Sequence, residues 1–93
     1  MICRVSVAVK GIVQGVFYRA STLEKARSLN LRGYVKNQHD GSVKIDAEGE
    51  KEQLIELLRW CHQGPPGASV ESVETTWLNE LQHYPKFSIQ HEP

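Results

Sequence analysis

Cysteine is scarce in this chain: only Cys3 and Cys61 occur among its 93 residues. Neither lies in a Cys-x-x-Cys pair, which argues against a zinc ribbon or a thioredoxin-type redox motif. Both read as small apolar residues in a reducing compartment, with a Cys3–Cys61 disulfide left open. Net charge is also absent, since 11 Lys and Arg balance 11 Asp and Glu. A general nucleic-acid binder carries a basic excess, so that class loses ground; a local basic site is still compatible with neutrality. No apolar run reaches membrane-spanning length, and no charged stretch followed by an apolar one marks a signal peptide. The expected location is therefore cytoplasmic, with no membrane partner. His39, His62, His83 and His91 are scattered without i, i+4 spacing, so no metal and no other cofactor is expected. Repeats, low-complexity tracts and linkers are missing as well. The length leaves no room for a second core, so one domain over residues 1–93 is expected, and a monomer with it.

What is present reads as an ordinary globular chain, 40% hydrophobic and 24% charged. Cys3, Val5, Val7 and Val9 alternate with Arg4, Ser6, Ala8 and Lys10, the period of a half-buried strand. Gly11 and Gly15 bracket a loop. From about Ala20 the spacing of Leu23, Ala26 and Leu29 becomes helical, and Gly33 is expected to end this unit, with Leu31 packing as part of the cap. Residues 33–38 read as a second strand, and His39-Asp40-Gly41 as a tight turn. Val43, Ile45 and Ala47 alternate with Lys44, Asp46 and Glu48 in a third strand. Leu54, Leu57, Leu58 and Cys61 mark a second helix, which Gly64-Pro65-Pro66-Gly67 stops. Residues 70–78 give a fourth strand, and Phe87 and Ile89 a short final one. The expected fold is α+β: a ferredoxin-like βαββαβ sandwich, mostly antiparallel, with two helices on one face and a short extra C-terminal strand. That fold hosts many activities and decides none of them.

The informative stretch is Gly11-Ile12-Val13-Gln14-Gly15-Val16-Phe17-Tyr18-Arg19, which joins a strand to a helix. The first amides of a helix lack internal partners, and glycine lets consecutive N–H groups converge on one anion. Arg19 falls where the helix dipole is positive, an awkward place for a cation unless an anion binds there. Its planar guanidinium matches two phosphate oxygens at once. A phosphate-like ligand and a plain turn with a solvated arginine are both compatible with this spacing. The loop lacks the Gly-Lys-Ser/Thr ending of a nucleotide P-loop and is not Gly-x-Gly-x-x-Gly, so ATP of either familiar type is not expected.

Residues 11–19 resemble the signature of the acylphosphatase family. Gly33-Tyr34-Val35-Lys36-Asn37, with Gly41, Val43 and Gly49 beyond it, resembles a second block of that family, and Gly64-Pro65-Pro66 with Ala68 and Val70 a third. The resemblance covers nearly the whole chain. It implies a hydrolase that splits the carboxyl–phosphate bond of acyl phosphates; zero net charge and the lack of a Lys/Arg-Gly-Phe-type strand separately lead us to expect no nucleic-acid partner. Arg19 would bind the phosphoryl group and Asn37 would orient the attacking water. Gln14, Gly15, Val16, Phe17, Tyr18 and Arg19 would form the substrate-binding segment. Tyr18 departs from the phenylalanine common before the arginine, and its hydroxyl needs a partner. A carboxylate leaving group, the anion of an acid with a pKa of roughly 4, departs without a general acid, so a site without a catalytic His, Asp or Glu is expected. Asn37 has a plainer alternative as a turn-capping residue.

The remaining polar residues carry less. Glu48, Glu50, Lys51 and Glu52 read as the solvated start of a helix. Trp60 and Trp77 read as packing residues. Lys10 and Lys36 read either as contributors to the positive field of the site or as solvated strand ends. Two other functions compete: a ligand- or RNA-binding module on the same fold, which lacks its aromatic strand motif, and an acylphosphatase-like domain that binds anions without catalysis.

Overall fold

A computed structural model describes residues 1–91. The valines at positions 5, 7 and 9 fall on one face of strand β1 (Ile2–Ile12) and are wholly buried, as their alternation requires. The chain continues through α1 (Tyr18–Ser28), β2 (Arg32–Asn37), β3 (Val43–Glu50), α2 (Lys51–Gln63), β4 (Ser69–Leu78) and β5 (Phe87–Ile89). The five strands form one sheet in the order β4-β1-β3-β2-β5. Every pairing is antiparallel except β2 with β5. Helix α1 packs over β2 and β5, and α2 over β1, β3 and β4. This is the ferredoxin-like sandwich with a parallel fifth strand at the β2 edge. Val5, Val7, Val9, Val35, Val43 and Ile45 meet Leu54 and Leu57 of α2 in the core between the layers.

Four local expectations need correction. Helix α1 ends before Gly33, because Asn30 takes the left-handed conformation at φ 57°. The amides of Asn30 and Leu31 then donate to the carbonyls of Arg27 and Ala26, which closes a Schellman cap one turn earlier than a glycine would. Gly33 does not end the helix but lies inside β2, within the strand expected over residues 33–38; a Cβ there would sit 1.8 Å from the Asp46 carbonyl oxygen, so glycine lets the two strands approach. The buried stripe of α1 is Tyr18, Thr22 and Ala26, with Leu23 and Leu29 only partly buried beside it. Thr22 tolerates burial because its hydroxyl donates to the Tyr18 carbonyl at 2.8 Å.

Glu48 is not at a solvated helix start. It is buried, as is Asp46, on the sheet face away from the helices. Residues 79–86 cross that face and supply the partners. Arg4 donates to both Asp46 oxygens at 2.9 Å and to the Glu80 carbonyl at 3.1 Å. The Tyr84 hydroxyl donates to Asp46, and the amides of Gln82 and Tyr84 donate to Glu48. Buried carboxylates persist where every lone pair finds a donor. Trp60 packs against Tyr18, with ring centroids 5.3 Å apart. Trp77 is exposed, with the Lys51 ammonium over its ring, and is no part of the core. Both cysteines are free thiols.

Candidate active site

Strands β1 and β2 both run antiparallel to β3, so they are parallel to each other, and β5 is parallel to β2. Their three carboxyl ends therefore emerge at the same edge of the sheet. The loop 13–17, Asn37 and, two residues past the end of β5, His91 lie at or beyond those ends.

In the loop, Gly15 has φ 77° and Phe17 has φ 65° and ψ 21°. Left-handed residues in a loop are the means by which backbone amides can turn toward one side, as in an anion-binding nest. A Cβ on Gly15 would meet nothing within 4 Å, so backbone conformation, not crowding, asks for glycine there. Phe17 is the N-cap of α1. It gives no side-chain cap, and no acid stands in the first turn, so the positive helix end is left uncompensated. Arg19 lies in that first turn, half-buried, and its side chain has no hydrogen bond or ion pair to another described residue.

Asn37 is the last residue of β2 and pairs with Val43. By alternation it shares the helix-facing side with Gly33 and Val35. Its Oδ1 is buried without a hydrogen-bond partner, the one such side-chain atom among the described residues. An unsatisfied buried acceptor costs about 1–3 kcal/mol, so its presence calls for a role.

Arg19 and Asn37 face one pocket of about 260 Å³, lined also by Gly15, Phe17, Tyr18, Ile89 and His91. Gln14 and Val16 stand outside its wall. The Gln14 amide instead donates to the carbonyls of Gln38 and Ser42, each at 2.8 Å, and so ties the loop to the β2–β3 turn. Val16 packs on the core and near Gly67. The Tyr18 hydroxyl finds its partner in the Cys61 carbonyl at 2.8 Å. Burial pushes this phenol well above the ordinary tyrosine range and the Cys61 thiol up to about 12. Lys10 pairs with Glu74 at 3.2 Å, and Lys36 lies over the Tyr34 ring; neither lines the pocket. Ile89 and His91 were missed by sequence reasoning. Only the parallel register Val35↔Ile89, held further by the Gln90 amide on the Val35 carbonyl, brings them beside Asn37. Among the described residues no group of three His, Cys, Asp or Glu side chains gathers to hold a metal ion.

Fold and pocket define a small ferredoxin-like α+β protein whose first strand-to-helix loop and second strand share an arginine-bearing pocket. Comparison with known proteins narrows that class. The sequence profile of the acylphosphatase family matches residues 5–89. An acylphosphatase of Marinobacter nauticus is 51% identical over 83 residues, spanning 89% of this chain and 90% of the relative. Among solved structures, an acylphosphatase from Coxiella burnetii superposes with a TM-score of 0.92 at 37% identity, covering 96% of this chain and 93% of that one. One from Bacillus subtilis gives 0.93 at 33% identity, covering 97% and 99%. The chain belongs to the acylphosphatase family, hydrolases of acyl phosphates.

Proposed function

We propose that Arg19 and the amides of residues 15–19 hold the phosphoryl group of an acyl phosphate while Asn37 orients the attacking water. The observation that carries this reading is the coincidence, in one pocket, of an arginine without a described partner and a buried asparagine oxygen without one. Arg19 supplies two-point contact and charge, and the loop amides add donors aimed at one side. Asn37 accepts a hydrogen bond from water through its carbonyl oxygen. The water oxygen bonds to phosphorus as the phosphorus–oxygen bond to the acyl group breaks. The carboxylate leaves with the electron pair, and the water's proton passes to a phosphate oxygen, so an acyl phosphate dianion and water become a carboxylate and dihydrogen phosphate. Positioning and charge neutralisation carry most of such a reaction. The free cysteines, and the lack among the described residues of a helix long and apolar enough to cross a membrane, fit a cytoplasmic protein. We further read it as a monomer.

Benzoyl phosphate hydrolysis by two variants tests the division of labour. Arg19→Lys keeps the charge but loses the planar contact, so both turnover and inhibition by inorganic phosphate should weaken. Asn37→Ala should lower kcat on the order of a hundredfold and leave phosphate inhibition near its original strength. If Asn37→Ala instead melts early and turns over normally, Asn37 only supports the turn.

A further inference from the structure

Phe17 combines two features that a loop residue ordinarily avoids. Its side chain is 82% exposed, so the ring gains nothing from the core. Its backbone is left-handed at φ 65°, a region that bulky residues rarely enter. Neither feature is explained by packing, because Val13 and Tyr18 already fill the interior on either side of it. An aromatic kept outside in a strained conformation points to a binding role.

Phe17 and the half-buried Ile89 line the same pocket as Arg19 and Asn37. A phosphoryl group held by the loop amides and Arg19 must direct its acyl substituent along the remaining wall. That wall is apolar at Phe17 and Ile89, and among the described residues Arg19 is its only Lys, Arg, Asp or Glu side chain. On the phosphate assignment given above, we propose that the Phe17 ring, together with Ile89, is the platform for the acyl group. The site then prefers acyl phosphates with an aromatic or extended aliphatic acyl group over those with a small one. The cost of exposing the ring in the free enzyme is recovered when an apolar acyl group covers it, and an aromatic acyl group adds ring–ring contact.

The test compares kcat/KM for benzoyl phosphate and acetyl phosphate in the wild-type protein and two variants. Phe17→Asn suits the left-handed backbone, which asparagine enters readily, but removes the apolar face. Phe17→Leu keeps an apolar face. The wild type should prefer benzoyl phosphate by on the order of tenfold. Phe17→Asn should reduce that ratio by about fivefold or more, and Phe17→Leu should retain most of it. A fall of equal proportion for both substrates in Phe17→Asn, with the ratio unchanged, would mean that the ring only shapes the loop, and would overturn the proposal. Arg19→Lys, assayed alongside, separates the two assignments. If it impairs both substrates while the ratio ignores Phe17, the acyl platform alone fails. If it impairs neither, the phosphate site itself is misplaced and both fail.

Discussion

Gln14 lies in the signature loop, yet its side chain serves the protein and not the pocket. One amide nitrogen holds two carbonyl oxygens, those of Gln38 and Ser42, and so fixes the loop against the turn that follows Asn37. Gln14→Glu keeps the shape but turns a donor into a carboxylate facing two carbonyls. The expected outcome is a kcat lowered on the order of tenfold or more, from a small misplacement of Asn37 against the phosphate, in protein whose circular dichroism is native. Normal turnover in a folded Gln14→Glu variant would show that the clasp does not set the geometry. The candidate site was legible at Arg19 and Asn37 because both belong to contiguous motifs with a chemical reason for each residue type. His91 carries no ligand spacing, and Ile89 shows only the alternation of a strand. Their place beside Asn37 depends on a parallel pairing across 54 positions (Val35↔Ile89), which no local period announces.

Tyr18 makes the corresponding point for helices. A helical carbonyl at Cys61 would accept from the amide of residue 65, but Pro65 has none. The Tyr18 hydroxyl takes its place, while its ring packs over Gly64. The start of α1 is thus locked to the end of α2. Tyr18→Phe keeps the ring and leaves the Cys61 carbonyl orphaned, at about 1–3 kcal/mol. A melting temperature lower by at least roughly 4 °C is expected for a domain of this size, with the larger share of the effect in stability and the smaller in kcat. An unchanged melting temperature in a thermal scan would mean that water replaces the hydroxyl without cost. The same kind of long-range partner explains where the elements were illegible. Apolar alternation in β1 and the proline stop after α2 are local and were readable. Thr22 on the buried face of α1 and Glu48 inside the sheet look solvated by residue type; each is buried only because a specific donor or acceptor meets it.

At the scale of the whole molecule, alkaline pH should be the weak side of the fold. Burial raises Tyr84 and Cys61 to about 12, from ordinary values near 10 and 9, and the nearby Asp46 adds to the effect at Tyr84. Tyr18 is also raised by its burial. Each group is neutral when protonated, and the folded state holds that proton more tightly than the unfolded chain. Their contribution is therefore complete below the unfolded values and is lost as pH rises from about 9 toward 12. Phenolate absorbance followed with far-ultraviolet circular dichroism checks this: Tyr18 and Tyr84 should ionise only as the secondary structure disappears. More than one tyrosine ionising in native protein would contradict the packing described. The strand order has a consequence of another kind. The loop proposed to hold phosphate follows β1, Asn37 ends β2, and β3 lies between them, so the two halves of the proposed site are not neighbours until the middle strand is seated and Gln14 bridges the gap. On that proposal, a chain that has formed only its first strand and helix would own the anion cradle with nothing to aim a nucleophile. Hydrolytic competence would then arrive late in folding, with the completed sheet and not with its first strand and helix.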